Sequence, residues 1–205
     1  MQRIRIDMLE MCKFFISIYC LKDPYHRGHS FRVNSISMLL GRRLGLDESI
    51  MDVLHYASLL HDIGKAVIPA LVLQKSTELS ETEWEFIRIH PIVGYELLCV
   101  FDEQVAEAVR YHHENWNGTG YPEGLSGEGI PLISRIIRIA DSLDAAVSKR
   151  PYRAAKPLEQ AMEEIRQGAE VLYDPELVRV LVSPGDLFCY RRGMERCHET
   201  QKTQM

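Results

Sequence analysis

The chain has 205 residues, 46% hydrophobic and 26% charged, so it can bury one substantial core and is not intrinsically disordered outside its tails. A net charge of −5 excludes a surface built to grip a long nucleic acid, though not a small anion held by a local cluster of cations and metals. Five cysteines (Cys12, Cys20, Cys99, Cys189 and Cys197) are odd in number and form no Cys-x-x-Cys pair. Reduced thiols in a cytoplasmic protein are therefore expected, rather than a disulfide framework or a thiolate zinc site.

The first helix is predicted from Arg3 to Tyr19. Its apolar stretch Phe14 to Leu21 is too short for a bilayer span of about 20 residues. Arg3, Arg5, Asp7, Glu10 and Lys13 precede that stretch and suit an amphipathic helix better than a signal peptide. A second helix runs from His26 to Leu44 on the stripe Val33, Ile36, Leu40 and Leu44, with Gly45 as its C-terminal cap. Asp47 opens a third, which carries Met51, Leu54, Ala57 and Leu60 up to His61-Asp62.

Ser80 and Glu83 form a capping box for a helix leading to His90, and Pro91 then marks a kink or a new helix start. Glu103 to His113 reads as a short helix. A loop rich in turn formers follows, with Asn117, Gly118, Gly120, Pro122 and Gly124. From Pro131 a longer helix sets Ile136, Ile139, Ala140 and Leu143 at core spacing. Pro157 to Gln167 and Pro175 to Val182 complete the set, and the chain turns polar after Pro184. Strand-like alternation is scarce, so the fold class is all-α.

Eight histidines are present, and their order matters more than their number. His26, His55 and His198 are read as ordinary structural histidines. The rest follow the order His29, His61-Asp62, His90, His112-His113, Asp141. Adjacent helical residues point about 100° apart, so a doublet serves one site only where a helix ends or faces a cleft. Both doublets fall at predicted helix ends, followed by Gly64 and Gly118. That placement suits two metals held between helices.

The run His61-Asp62-Ile63-Gly64-Lys65, then His112-His113-Glu114 and Gly120-Tyr121-Pro122, resembles the HD-GYP family of bacterial cyclic di-GMP phosphodiesterases. Ile68-Pro69, Leu79, His90-Pro91 with Gly94, Ile130-Pro131, Asp141 with Asp144-Ala145, and Arg150-Pro151-Tyr152-Arg153 extend the likeness from about His26 to Val182. The resemblance implies an HD-domain helical bundle with a metal site between helices. Residues 23–183 would form it, 1–22 an N-terminal helix or linker, and 184–205 a polar extension. It also implies that His29, His61, Asp62 and Asp141 hold one metal, with Asp62 bridging to a second held by His90, His112 and His113.

Two octahedral ions offer about twelve positions, of which about ten are filled by these ligands and a shared hydroxide, leaving roughly two for substrate. Imidazole and carboxylate donors suit iron or manganese, with nickel or zinc as alternatives. Lys65 is expected to contact a phosphate oxygen or orient Asp62. Asp144 is expected to orient the nucleophile, protonate the leaving oxygen or hydrogen-bond a metal ligand. Tyr121 is expected to pack near a guanine or lend its hydroxyl, and Arg150 and Arg153 are expected on phosphate, where a guanidinium grips with two bonds. Trp84 and Trp116 are read as packing or loop anchors.

The pattern departs from the family in three places. Tyr25 stands where some members carry a glutamate for a third metal, so two metals are expected, with linear dinucleotide accumulating ahead of GMP. Asn117 replaces the usual aspartate of the signature loop but keeps its turn-forming side chain. Ala70 replaces an aspartate after Ile68-Pro69. The resemblance implies hydrolysis of cyclic di-GMP to linear pGpG, with or without GMP. The alternatives are a phosphohydrolase for another cyclic dinucleotide or nucleotide, and a non-catalytic module that senses a nucleotide or docks a protein. No receiver, sensor or membrane domain is expected in the chain. A homodimer or signalling-protein contact would use the N-terminal helix or the Gly120–Pro122 loop.

Overall fold

The computed structural model describes residues 24–75, 77–148 and 154–182, together with Glu10, Cys12 and Phe14. Among the described residues, regular structure is helical apart from two isolated bridges, Asn117 with Ser126 and Ala169 with Tyr173. The all-α expectation holds. The predicted N-terminal helix and the stretch after Pro184 fall largely or wholly outside the described residues.

Helix α1 spans Pro24–Arg43 and α2 spans Glu48–Leu60. Gly45 between them has φ +67, the left-handed geometry that favours glycine after a helix end. The Asp47 side chain then accepts from Ile50 N at 3.0 Å, capping α2 as its position predicts. Val33, Ile36 and Leu40 of α1 meet Val53, Leu54 and Ala57 of α2 in one buried cluster. Each such aliphatic side chain contributes roughly 1.5–3 kcal/mol when buried.

The short α3 (Ala70–Leu73) follows, then α4 (Glu81–Arg88) with both halves of the Ser80–Glu83 capping box formed. Next come α5 (His90–Leu98), with Pro91 in its first turn, and α6 (Glu103–Arg110), capped by Asp102. The long α7 (Leu132–Val147) crosses α1 and α2 and brings Ile136, Ile139, Ala140 and Leu143 into the core. Helices α8 (Leu158–Gln167) and α9 (Pro175–Leu181) pack on its outer side.

Two differences from the sequence reading bear on function. Helix α6 stops at Arg110, and His112-His113 lie in the turn after it instead of closing it. Leaving helical geometry at Tyr111 (φ −104, ψ 9) lets both rings face one pocket, which consecutive helical residues cannot do. A 3-10 helix over Ile63–Val67, unsignalled by any apolar period, carries Lys65. It lies so close to α5 that a Cβ on Gly64 would stand 1.9 Å from the His90 carbonyl oxygen, so no side chain fits there.

Candidate metal centre

Five segments deliver the charged and imidazole groups to one buried pocket. His29 comes from the N-terminal half of α1, His61-Asp62 from the end of α2, and His90 from the start of α5. His112-His113 come from the turn after α6 and Asp141 from the middle of α7. Their donor atoms gather into two groups, each spanning less than 4.8 Å: Asp62, His90, His112 and His113, and His29, His61 and Asp141.

Asp62 belongs to both neighbourhoods. Its Oδ2 lies 3.7 Å from His29 Nε2 and 3.6 Å from His61 Nε2. Its Oδ1 lies 3.3 Å from His90 Nε2 and 4.0 Å from His112 Nε2. One carboxylate therefore turns one oxygen toward each group. On the first side, Asp141 Oδ1 stands 3.3 Å from His29 Nε2.

The outer nitrogens of the rings fix their tautomers. His61 Nδ1 lies 2.8 Å from Ser58 O, His90 Nδ1 2.6 Å from Ile87 O, and His112 Nδ1 2.6 Å from Val109 O. A carbonyl only accepts, so each Nδ1 carries the proton and each neutral ring turns a bare Nε2 lone pair inward. His29 Nδ1 donates to Asp144 Oδ2 at 2.7 Å. The Nε2 atoms of His29 and His61 then face each other at 3.2 Å, and those of His90 and His112 at 3.3 Å. Two lone pairs at that range repel unless a cation lies between them.

Nitrogens bound at about 2.1 Å on neighbouring octahedral positions stand about 3 Å apart. The donors therefore fit divalent ions. Burial keeps the rings neutral, lowering the pKa of His61 and His90 and pushing those of His112 and His113 well below the usual value. For Asp62, burial acts to raise the pKa, but the Lys65 ammonium beside it helps hold the carboxyl well below the usual carboxylate range.

Lys65 Nζ reaches Asp62 Oδ2 at 2.7 Å, and its side chain is 18% exposed. Asp144 faces away from the pocket centre. Its Oδ1 accepts from Arg32 Nε at 2.6 Å and Ser148 Oγ at 3.1 Å, and its Oδ2 from His29 Nδ1 and, at 3.1 Å, Arg32 Nη2. Burial would raise its pKa, yet the bonds from His29 and Arg32 bring it down to about 2. These contacts hold Asp144 against the outer ring nitrogen of His29.

The signature loop borders this pocket. Tyr121 stacks on His113 with ring centroids 4.8 Å apart and an interplanar angle of 21°, and burial raises its phenol pKa. Gly120 has no room for a Cβ, which would lie 2.3 Å from Asn115 N. Asn117 keeps the turn despite lacking a charge: its Oδ1 accepts from Thr119 N at 3.1 Å, and Gly118 has φ +82. The buried Glu114 accepts from Glu123 N at 2.8 Å and Gly124 N at 3.0 Å. Arg138 donates through Nε and Nη2 to Asn115 Oδ1 at 3.2 and 2.9 Å, tying the loop to α7.

The HD domain family matches residues 13–177, most of the chain. The chain belongs to the HD domain family. Its HD-GYP motifs all lie within the matched span, as the resemblance led us to expect. A cyclic di-GMP phosphodiesterase of Thermotoga maritima is 38% identical over 165 residues, covering 78% of this chain and 45% of the relative. A 3'3'-cGAMP-specific phosphodiesterase of Vibrio cholerae serotype O1 is 37% identical over 169 residues, covering 82% of this chain and 37% of the relative. The chain thus spans less than half the length of either. The crystal structure of a cyclic GMP-AMP specific phosphodiesterase from V. cholerae superposes with a TM-score of 0.68 at 27% identity, over 94% of this chain and 52% of that one.

In this HD domain, the sequence reading misses Arg32 and Arg138, and it quotes Glu114 in the second motif without giving it a role. Arg32 and Arg138 act on partners far along the chain and carry no local mark. Arg150 and Arg153 lie outside the described residues, as does the side chain of Tyr25. His55 is partly buried against Asn34 Nδ2 at 3.1 Å, in keeping with its structural reading. Trp84 is exposed, and Trp116 lies under the Arg135 guanidinium. No helix among the described residues is long and apolar enough to cross a membrane.

Proposed function

We propose that this HD domain, residues 23–183, is a metal-dependent phosphodiesterase that opens cyclic di-GMP to linear pGpG, with or without further cleavage to GMP. The observation that carries the reading is Asp62, whose two oxygens face two separate donor groups. Two divalent ions bound there, iron or manganese before nickel or zinc, would supply Lewis acidity, lowering the pKa of water toward neutrality and offsetting charge on phosphodiester oxygens. His29, His61 and Asp141 would hold one, and His90, His112 and His113 the other.

The chain's own residues do the remainder. Lys65 holds Asp62 in register and, with substrate bound, reaches a non-bridging phosphate oxygen. Asp144 fixes the His29 ring. Tyr121, backed by His113, offers a flat half-buried surface for a guanine. Arg150 and Arg153 take the phosphate by charge-assisted hydrogen bonds. With Tyr25 in place of a third carboxylate, two ions bind per chain, and pGpG accumulates ahead of GMP.

A second reading, 3'3'-cGAMP as substrate, draws on the cGAMP-specific relative that is 37% identical. Chromatography of products from the manganese- or iron-loaded protein, given cyclic di-GMP and 3'3'-cGAMP in parallel, separates the two. Faster turnover of cyclic di-GMP supports the first reading. Faster cGAMP turnover replaces it with the second, and no turnover of either leaves a binding module.

A further inference from the structure

We infer that the two ion positions are unequal: the position formed by His29, His61 and Asp141 is the tighter and fills first, and Arg32 is the positioning residue that sets the difference. The inference rests on the two-ion reading above and adds to it an order of filling and a residue outside the donor set.

The donors themselves differ. Beyond the shared Asp62, the first position has the Asp141 carboxylate, whereas the second adds only the neutral imidazoles of His90, His112 and His113. Anionic donors raise affinity for a divalent ion. The outer contacts differ at one ring. His61, His90 and His112 lean on the backbone carbonyls of Ser58, Ile87 and Val109, while His29, in the first position, gives its Nδ1 proton to the Asp144 carboxylate at 2.7 Å. A carboxylate partner makes the opposite ring nitrogen a stronger donor to a metal than a carbonyl does.

Asp144 can act this way only if it is kept in place. It is 1% exposed, and a carboxylate so deep is costly without a paired cation. Arg32, itself 8% exposed, meets it as a fork, Nε to Oδ1 at 2.6 Å and Nη2 to Oδ2 at 3.1 Å, which fixes the plane of the carboxylate as well as its charge. Lys65 pulls the other way, since it pairs with the Asp62 oxygen that faces the first position. Its ammonium is on a flexible stem and partly exposed, so it can move aside when an ion arrives. The Arg32 fork is locked between α1 and α7.

The test uses the complete chain, stripped of metal, and Mn²⁺ alone, with free Mn²⁺ followed by electron paramagnetic resonance. Two ions should bind in two affinity classes. Arg32→Gln should weaken the tighter class about 10–100-fold and leave the weaker unchanged. Arg32→Lys, which keeps the charge but loses the fork, should fall between. His113→Ala should abolish the weaker class and spare the tighter, and this variant decides the order of filling even if Arg32→Gln fails to fold. Two ions of equal affinity, equal weakening of both classes by Arg32→Gln, unchanged binding in both Arg32 variants, or loss of the tighter class in His113→Ala each overturn the inference while the two-ion reading stands. A chain that takes up no Mn²⁺ overturns both.

Discussion

The metal pocket and the signature loop share a border at His113 and Tyr121, yet they are held by different physics. In the pocket, histidines from separate segments are locked from outside by carbonyls or a carboxylate, and their bare nitrogens converge on one buried aspartate. In the loop, a chain of polar side chains does the holding: Glu114 under residues 123 and 124, and Arg138 on Asn115. The pocket needs a cation to relieve its lone pairs. The loop is held by direct hydrogen bonds, with one Glu114 oxygen left unpartnered among the described residues. Damage to the pocket should therefore appear first as lost metal, and damage to the loop as lost substrate handling with metal retained.

The largest effect that can break this contrast is Asp62→Ala. It should abolish cyclic di-GMP hydrolysis and release at least one ion, while circular dichroism keeps its helical signal because the apolar stripes are untouched. A variant that keeps two ions and turns over normally would merge the two regions into one.

Arg150→Ala and Arg153→Ala probe the other side. Each should weaken cyclic di-GMP binding by about 1.5–3 kcal/mol, the worth of a charge-assisted bond, with metal content unchanged. Calorimetry that finds native affinity in both variants would remove these arginines from the site.

Glu114→Ala sharpens the comparison within the loop. It strips the acceptor from Glu123 N and Gly124 N, which should cost about 1–3 kcal/mol. In a chain of this size that lowers the thermal midpoint by about 2–4 °C per kcal/mol. Turnover should fall while both ions stay bound, and metal loss in this variant would show that the loop supports the pocket directly.

The smallest effect should come from Ser80→Ala, at the start of α4. Losing that cap should cost about 1 kcal/mol and leave metal content and turnover unchanged. A change in either would mean that α4 reaches the site.

How much of this was legible in the sequence follows the same division. Helix starts were readable because their signals are local: Asp47 bonds three residues ahead, and the Ser80–Glu83 box closes on itself. The residues that the structure gathers around Asp62 were readable because histidines and aspartates in that order match a family motif. Arg32 was not, since its partner Asp144 lies 112 residues away and nothing near either one marks the pairing. Arg138 and Asn115 are separated by 23 residues and were hidden for the same reason. The turn at Tyr111 escaped because no glycine or proline marks the helix end before Gly118. The 3-10 helix after Asp62 is too short to show a period.

Anomalous diffraction from crystals of the manganese-loaded chain tests the two-ion centre most directly. Two peaks are expected per chain, one among His29, His61 and Asp141 and one among His90, His112 and His113, each within coordination distance of a different oxygen of Asp62. A single peak, a third peak near Tyr25, or density away from Asp62 would contradict it.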